Sequence, residues 1–304
     1  MPNHVTNILK FVGPQEDIQD LFNRIQGVDD EGHKREIDFN KIIPMPQSLM
    51  ITSGSMVDRG IAILKFTEQG DDTELKAMLN YPWVKAENIT TPKQLVNHFL
   101  KQDDGNKEYL KEAKIALDNI EKYGHKDWYS WSIANWGTKW NAYEISKDEN
   151  SISFDTAWST PAPIVEKLSE MFPTVTIILE FADEDFGYNC GSIVFLAGDV
   201  IDENIPQGGS AEAYSIASKI KATDIDDLMY RICDSEEEEF VASMIKNAIE
   251  IFGLETLMYF MEGEDADMFS ETFLETLKGV LIELEAYEHI GDVDEMINQK
   301  VGEE

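Results

Sequence analysis

Residues 151–181, SISFDTAWSTPAPIVEKLSEMFPTVTIILEF, contain the pattern that decides the fold. The first eight residues alternate strictly, with Ile152 and Phe154 on the apolar side, which is typical of a strand with one buried face. Thr160-Pro161 then predicts a helix start, because threonine accepts free backbone amides and proline suits the first turn. The apolar run Val175–Phe181 follows, so this stretch predicts a strand, a helix and a second strand.

Similar elements flank this stretch on both sides. Upstream, the segment Asn141–Ser146 predicts a hairpin partner, because Lys147–Asn150 has the composition of a turn. Downstream, Ser192–Ala197 predicts a further strand after the acidic, glycine-containing turn Asp183–Gly191.

The N-terminal residues predict a strand, a helix and a second short strand. The first strand is His4–Val12, and apolar residues at helical spacing follow it between Ile18 and Ile25. The second strand is predicted at Ile37–Ile43. Taken in order, these elements fit an α+β fold, a ferredoxin-like split βαβ sheet with two helices on one face.

We predict three regions. Residues 1–46 and 127–203 form the ferredoxin-like domain, and residues 47–126 form a mostly helical insertion, in which Thr91–Gln94 is a capping-box pattern. The turn-rich linker Asn204–Ser210 leads to an acidic, all-helical C-terminal domain at residues 210–304. Its predicted helices span about Ala211–Ala222, Asp224–Cys233, Glu236–Phe252, Leu254–Met261 and Asp267–His289.

The charge of the chain excludes several classes of protein. The 304 residues include 59 acidic and 25 basic side chains, for a net charge of −34. Residues 202–304 hold 27 acidic and six basic side chains, so they carry −21 of that charge. Such a surface repels phosphate backbones and anionic membranes, which argues against direct nucleic-acid or membrane binding. The 42% apolar content argues against an acidic disordered chain.

No sequence pattern indicates export, membrane insertion or a cofactor. The N-terminus lacks a signal-peptide pattern, and no window approaches the ~20 apolar residues of a membrane span. The two cysteines, Cys190 and Cys233, form no pair motif, and the five histidines lack metal-binding spacing. No nucleotide-binding or nucleophile motif is present. We therefore predict a cytoplasmic protein of the host cell, without cofactor or metal, and the sequence leans against an enzyme.

Several distinctive motifs occur together in this chain. They are Pro2–Asn7, Asp38–Pro46, Trp131 with Trp136–Asn141, Thr156–Ser159 with Pro161 and Pro163, and Phe181–Asp185 with Gly187 and Gly191. Together they resemble the motifs of the YubB-like, or Api-like, ferredoxin-fold family of phage and plasmid proteins. The resemblance covers about residues 1–46 and 127–201.

This resemblance implies a ferredoxin-like fold and a place on a mobile genetic element. It implies no catalytic residues, because the family has no established activity. Plasmid relatives of this kind often lie among genes that protect incoming DNA, so the resemblance also implies a counter-defence role.

Two readings are open for the aromatic cluster around Trp131, Trp136 and Trp140. In one, the rings form an exposed platform that stacks a base or grips a partner. In the other, they are buried as large apolar groups of the core.

The acidic residues of the C-terminal helices are the candidate partner-binding surface. Glu271 and Glu275 follow Asp267 at four-residue steps, about 6 Å apart along a helix axis, which is similar to the spacing of phosphates along a strand. The ordinary alternatives are a solvated surface and, at Ser235–Glu238, a capping box. The candidate residues are Glu236, Glu237, Glu239, Glu262, Glu264, Asp265, Asp267, Glu271 and Glu275.

The leading hypothesis is a non-enzymatic accessory protein of a phage or plasmid. It would bind and inhibit a host defence or nucleic-acid-handling protein that has a basic surface, by acidic mimicry of DNA. The sheet domain would serve as a scaffold or as the contact of a homo-oligomer. The alternative is an enzyme that binds a small ligand or metal near Trp131–Trp140 and the turn Asp183–Asp185.

Overall fold

The structure is a computed structural model, and it describes residues 3–28, 32–102, 107–221, 225–233, 235–264 and 268–301. The chain forms two compact units. The first comprises Met1–Asp38 and Trp140–Glu304, and the second comprises Phe39–Lys139. The predicted C-terminal domain at residues 210–304 thus belongs to the same unit as the sheet, and the insertion is longer than predicted at both ends.

The elements follow one another in this order along the chain. Before the sheet hairpin they are β1 (His4–Val12), α1 (Gln15–Ile25), β2 (Gly27–Val28), β3 (Lys34–Arg35), α2 (Ser55–Leu64), α3 (Thr73–Met78), α4 (Pro82–Ala86), α5 (Pro92–Gln102), α6 (Glu108–Tyr123) and α7 (Trp128–Trp136). They continue with β4 (Tyr143–Lys147), β5 (Ser151–Ala157), α8 (Ala162–Met171), β6 (Thr176–Asp183), β7 (Cys190–Leu196) and β8 (Asp199–Asn204). The last are α9 (Ala211–Lys221), α10 (Ile225–Ile232), α11 (Glu238–Phe252), α12 (Leu254–Gly263), α13 (Glu271–Glu283) and α14 (Ile290–Val301).

The central sheet has the order β4-β5-β1-β6-β7-β8, and all its neighbouring strands are antiparallel. Because β1 lies between β5 and β6 and is antiparallel to both, β5 and β6 run parallel to each other. Helix α8 connects them, which makes a split βαβ unit. The ferredoxin-like prediction for this part of the chain is confirmed.

The first face of the sheet is apolar and forms a core with α1 and α8. On β1 this face carries Val5, Leu9 and Phe11, all buried, and the Phe11 ring meets Phe22 of α1 edge-on at 5.2 Å. Asn7 is also buried on this face and is satisfied by hydrogen bonds, one of them at 2.8 Å to the Thr156 hydroxyl. Burial of the apolar side chains on this face stabilises the packing of the sheet against α1 and α8.

The second face of the sheet is covered in part by α9, which contacts β1, β6 and β7. Ala182 and Cys190 of the sheet join one apolar core with the C-terminal helices, and Ile8 packs against that core. The Cys190 thiol lies 3.2 Å from the carbonyl oxygen of Ala213 on α9 and donates a hydrogen bond to it. The C-terminal helices therefore share a core with the sheet instead of forming a separate one.

Helices α11 and α13 lie side by side and run parallel. Near their starts, Thr272 donates a hydrogen bond of 2.7 Å to Glu236. About ten residues further on, Lys246 and Glu283 form an ion pair of 2.6 Å. Because the contact advances by a similar number of residues on both helices, their N-terminal ends lie at the same end of the unit.

Several predicted boundaries differ from those observed. The segment predicted as a strand at Ile37–Ile43 contains a 3-10 turn, Phe39–Lys41, and the strand β8 was not predicted. Thr160 does not cap α8 with its side chain, because its hydroxyl donates to Asn7 Oδ1 at 2.7 Å. The helix predicted at Asp267–His289 is shorter, since α13 ends at Glu283 and a turn follows in which Glu285 has a positive φ of 58°. The next helix, α14, begins at Ile290, beyond the predicted span.

The second unit is built from helices α2 to α7. The capping box at Thr91–Gln94 is present, since the Gln94 amide donates to the Thr91 hydroxyl at 3.3 Å and the Thr91 amide donates back to the Gln94 side chain at 3.1 Å. Helices α2 and α6 pack closely because Gly60 has no side chain. A Cβ atom at that position would lie 2.6 Å from Cβ of Ala113.

Candidate functional site

The predicted acidic residues lie in two places on the C-terminal helices. One set lies at the N-terminal ends of α11 and α13, which we call the helix-start surface. All five of its carboxylate side chains belong to exposed residues. They are Glu236, Glu237, Glu239, Glu271 and Glu275.

The helix-start surface has a structural role as well as a charge. The exposed N–H groups at a helix start carry partial positive charge, so nearby carboxylates stabilise the helix. Ser270 caps α13, since its hydroxyl oxygen accepts a hydrogen bond of 2.9 Å from the Phe273 amide. Ser235 does not form the predicted capping box, because α11 begins only at Glu238 and the Ser235 hydroxyl accepts from the Glu237 amide at 3.3 Å.

The other set lines a groove between α12 and α14, which we call the methionine groove. Its volume is about 320 Å³. Of the predicted residues it contains Glu262 and Glu264, and the Glu264 carboxylate accepts a hydrogen bond of 3.2 Å from Tyr230. Asp265 and Asp267 lie outside the described residues. The lining residues are Met258, Met261, Glu262, Glu264, Asp292, Glu295, Met296 and Gln299.

Basic side chains do little to neutralise either set. Lys219 pairs with Glu250 at 3.5 Å, Lys246 with Glu283, and Lys278 with Asp294. Among the residues described by the structure, no lysine or arginine forms an ion pair with a carboxylate of the helix-start surface or the methionine groove. Both places therefore present negative charge to solvent.

Two of the three residues predicted as a possible aromatic platform are buried. Trp131 and Trp136 are only 6% and 5% exposed, and their rings pack edge-on against each other at 5.6 Å. Trp136 also meets Phe39 and donates its ring N–H to the Ile43 carbonyl at 2.9 Å. The faces of these two rings are taken by core contacts and are not free to stack a base. Trp140 belongs to the other unit, and its side chain is 37% exposed.

A polar cluster, formed by His4, Thr6, Tyr143, Asp155 and Lys221, lies on the second face of the sheet. His4 Nδ1 and the Tyr143 hydroxyl are 2.8 Å apart. Thr6 donates to Asp155 at 2.9 Å, and Lys221, at the end of α9, donates to Thr6 at 3.2 Å. The cluster thus joins side chains from β1, β4, β5 and α9.

Burial shifts two protonation equilibria in the polar cluster. It raises the pKa of Tyr143 to about 12, and the negative charges of Asp155 and Glu184 add to that rise. The hydroxyl therefore keeps its proton at neutral pH. Burial also lowers the pKa of Lys221, although Asp155 and Asp183 oppose this shift by stabilising the ammonium form.

In the turn after β6, Asp183 is buried, whereas Glu184 and Asp185 are exposed. Asp183 is buried and accepts hydrogen bonds from Asn3 at 3.1 Å, from Asn189 at 2.8 Å and from the Asp185 amide at 3.0 Å. Next to it, Trp158 is 52% exposed and has a positive φ of 73°, which is costly for a bulky residue. These contacts tie the turn to the start of β1.

The polar cluster was not predicted as a site from the sequence. His4 and Tyr143 carry no spacing signal, because they come from strands 139 positions apart. Lys221 looks like an ordinary basic residue near a helix end. The one available signal was that Asp155 and Ser153 alternate with the apolar residues of β5, which indicates a polar second face.

The described residues show no feature of a metal centre or a membrane span. Within the ranges described, no group of three or more His, Cys, Asp or Glu side chains is arranged to hold a metal ion. None of the helices in those ranges is long and apolar enough to cross a membrane.

Comparison with known proteins agrees with the fold. Residues 135–231 match the family model of the ferredoxin-like domain in Api92-like proteins. This stretch is similar to the ferredoxin-like domain of those proteins. It contains β4 to β8 with α8 and α9, so the Api-like resemblance predicted from the motifs is confirmed there.

One solved structure is similar to the chain, the crystal structure of protein api92 from Yersinia pseudotuberculosis. It shares 12% sequence identity, and the match covers 69% of this chain and 99% of that one, with a TM-score of 0.34. No curated protein matches the chain significantly.

Proposed function

We propose that this protein is a non-enzymatic interaction protein of a phage or plasmid. Its acidic C-terminal helices bind a host defence or nucleic-acid-handling protein that has a basic surface, and binding inhibits that protein. The carboxylates stand in for the phosphates of DNA, so the complex forms rapidly and weakens as salt is added.

The observation that supports this proposal is the unbalanced charge of the helix-start surface. Two parallel helices start side by side, and five exposed glutamates collect around those starts. Glu271 and Glu275 lie one turn apart on α13, about 6 Å along the axis. In the described part of the chain these glutamates have no ion-pair partner, so their charge is available to a basic groove.

An affinity pull-down from host lysate tests the proposal. The purified chain should retain a specific protein at low salt, lose it at high salt, and release it when duplex DNA is added. Release by DNA is expected because a phosphate mimic and DNA compete for the same basic groove.

Charge variants provide the matched controls. Glu271→Lys with Glu275→Lys should abolish retention, whereas Glu283→Lys, on the same helix but outside the helix-start surface, should leave most of it. Retention that is insensitive to salt, or that survives reversal of Glu271 and Glu275, would contradict the proposal.

A second candidate function is the binding of a small ligand at the polar cluster. The observation that favours it is the half-buried Lys221 side chain beside Thr6 and Asp155, with the His4–Tyr143 pair nearby. A ligand that binds only the folded chain raises its melting temperature. A thermal-shift screen of nucleotides and divalent metals should identify a ligand that raises the melting temperature. The same ligand should not raise the melting temperature of Lys221→Met. A screen in which no compound raises the melting temperature would contradict this second candidate.

A further inference from the structure

We propose that the methionine groove binds an amphipathic basic helix of the partner, with lysine or arginine side chains lying across α12 and α14. This inference rests on the proposed function and adds to it the chemistry of the segment that is bound. It adds the groove to the helix-start surface as a second place where the partner is bound.

The floor of the groove is apolar and adaptable. Met258 and Met261 are almost fully buried beneath it, and Met296 is half-buried at its side. Methionine is unbranched and polarizable, so its side chain can adjust to differently shaped apolar groups. A floor of this kind suits a helix face better than one rigid small molecule.

The rim of the groove is acidic. Glu262, Asp292 and Glu295 are exposed, and Glu264 is half-buried. No lysine or arginine belongs to the described lining. The charge of this rim attracts a basic occupant and repels an acidic one.

Lysine and arginine side chains match the combination of floor and rim. Their aliphatic stems lie favourably along apolar surface while the charged ends remain hydrated. In the groove, the stem would cover the methionines and the charged end would reach the carboxylates. A purely apolar ligand would leave the rim unpaired, and a simple cation would leave the floor uncovered.

The volume of the groove is compatible with a few side chains of a surface helix. The groove measures about 320 Å³, and pockets that enclose a small ligand span roughly 300–1,000 Å³. A groove at the lower limit of that range accommodates a few side chains. A helix can supply these side chains from one face at i, i+3 and i+4.

The test uses the full chain and a defined probe. The probe is an amphipathic lysine–leucine helix of about 18 residues, or five turns, and the control is the same peptide with glutamate in place of lysine. Binding is followed at low salt by fluorescence anisotropy. The bound site is located by NMR of the ¹³C-labelled methyl groups of the 12 methionines.

We expect the lysine peptide to bind tightly and the glutamate peptide not to bind. Binding should shift the methyl resonances of Met258, Met261 and Met296. Asp292→Asn with Glu295→Gln should weaken binding about tenfold, while Glu271→Gln with Glu275→Gln should weaken it less than about threefold. Both double variants preserve side-chain shape, and unchanged circular dichroism would show that they fold.

Three results would overturn the inference: no binding of the lysine peptide, equal weakening by both double variants, or shifts confined to other methionines. The lysate pull-down separates these results from a failure of the proposed function. If retention of the partner still depends on salt and on Glu271 and Glu275, only the groove assignment is wrong. If retention is insensitive to salt, the proposed function itself fails.

Discussion

The helix-start surface and the methionine groove carry similar negative charge in different physical settings. At the helix-start surface, Glu239 and Glu271 lie in the first turn of a helix, near its positive end, so folding alone accounts for part of their presence. In the groove, the carboxylates surround buried methionines, and Glu295 lies in the middle of α14, where no helix end stabilises it. An acidic composition alone therefore does not locate a binding site. Carboxylates that stabilise helix starts must first be distinguished from those without such a role.

The largest effect is expected from breaking the core that supports both surfaces. Phe273 is fully buried on α13 and stacks on Phe269 at 5.3 Å. Phe273→Ala should lower the free energy of unfolding by about 3–5 kcal/mol, through lost burial and the cavity left behind. Urea denaturation measures this loss.

Ile282 provides the matched control for this substitution. It lies on the same helix but is 48% exposed. Ile282→Ala should cost less than about 1 kcal/mol, because much of its side chain is already in contact with water. Equal losses for both variants would show that the shared core does not hold the two surfaces in place.

The next effect should come from the cap that joins the two helix starts. Ser270 accepts a hydrogen bond from the Phe273 amide and donates one of 2.8 Å to the Ser235 carbonyl. Ser270→Ala should lower the free energy of unfolding by about 0.5–2 kcal/mol. The same replacement at Ser243, within α11, should change it by less than about 0.5 kcal/mol. If Ser243→Ala costs as much, capping does not explain the loss.

A smaller pair of effects compares the two surfaces directly. Glu271→Gln removes a charge from the first turn of α13 and should cost about 0.3–1 kcal/mol at low salt. Glu295→Gln removes a charge from the acidic rim of the groove and should leave stability unchanged or slightly higher, since it relieves repulsion. Thermal unfolding at low and high salt measures both; a larger loss for Glu295→Gln would reverse the comparison.

The smallest effect concerns Lys278, on α13, which pairs with Asp294 of α14. Its hydrogen bond with Asp294 raises the pKa of Lys278 above the ordinary 10.5, and the charge of Glu275 adds to this. Because the pKa is raised in the folded state, the pair's contribution is fully present below pH 10.5 and declines as pH rises through the folded pKa.

NMR titration of the Lys278 side chain should therefore give a pKa above that of an unfolded reference peptide. Asp294→Asn should return it toward 10.5, while Asp292→Asn, two positions away, should not. An unshifted pKa in the native protein would show that solvent screens this pair completely.

The sequence predicted the elements of the sheet better than its boundaries. The alternation in Ser151–Ala157 and the apolar spacing in Gln15–Ile25 reflect burial on one side, and both elements are present. Strand β8 was missed because all of its residues are exposed, so burial imposes no alternation on them. The strand expected at Ile37–Ile43 is a 3-10 turn, because buried apolar residues alone do not specify an extended backbone.

For the candidate sites, the sequence predicted the acidic residues but not their grouping. It gave Glu262 and Glu264 as acidic surface without indicating that α14 completes a groove beside them. The polar cluster was missed because Lys221 and Thr6 are 215 positions apart in the chain. Burial of Trp131 and Trp136 was one of two readings that the sequence left open.

By itself, the sequence determined which residues avoid water and where charge accumulates, because periodicity and composition are local properties of the chain. Only the tertiary structure decided what each buried face packs against. In the tertiary structure, β1 lies between β5 and β6, α9 packs on the second face of the sheet, and the starts of α11 and α13 lie side by side. These contacts depend on the relative positions of distant segments, and a periodic pattern contains no information about the identity of its partner.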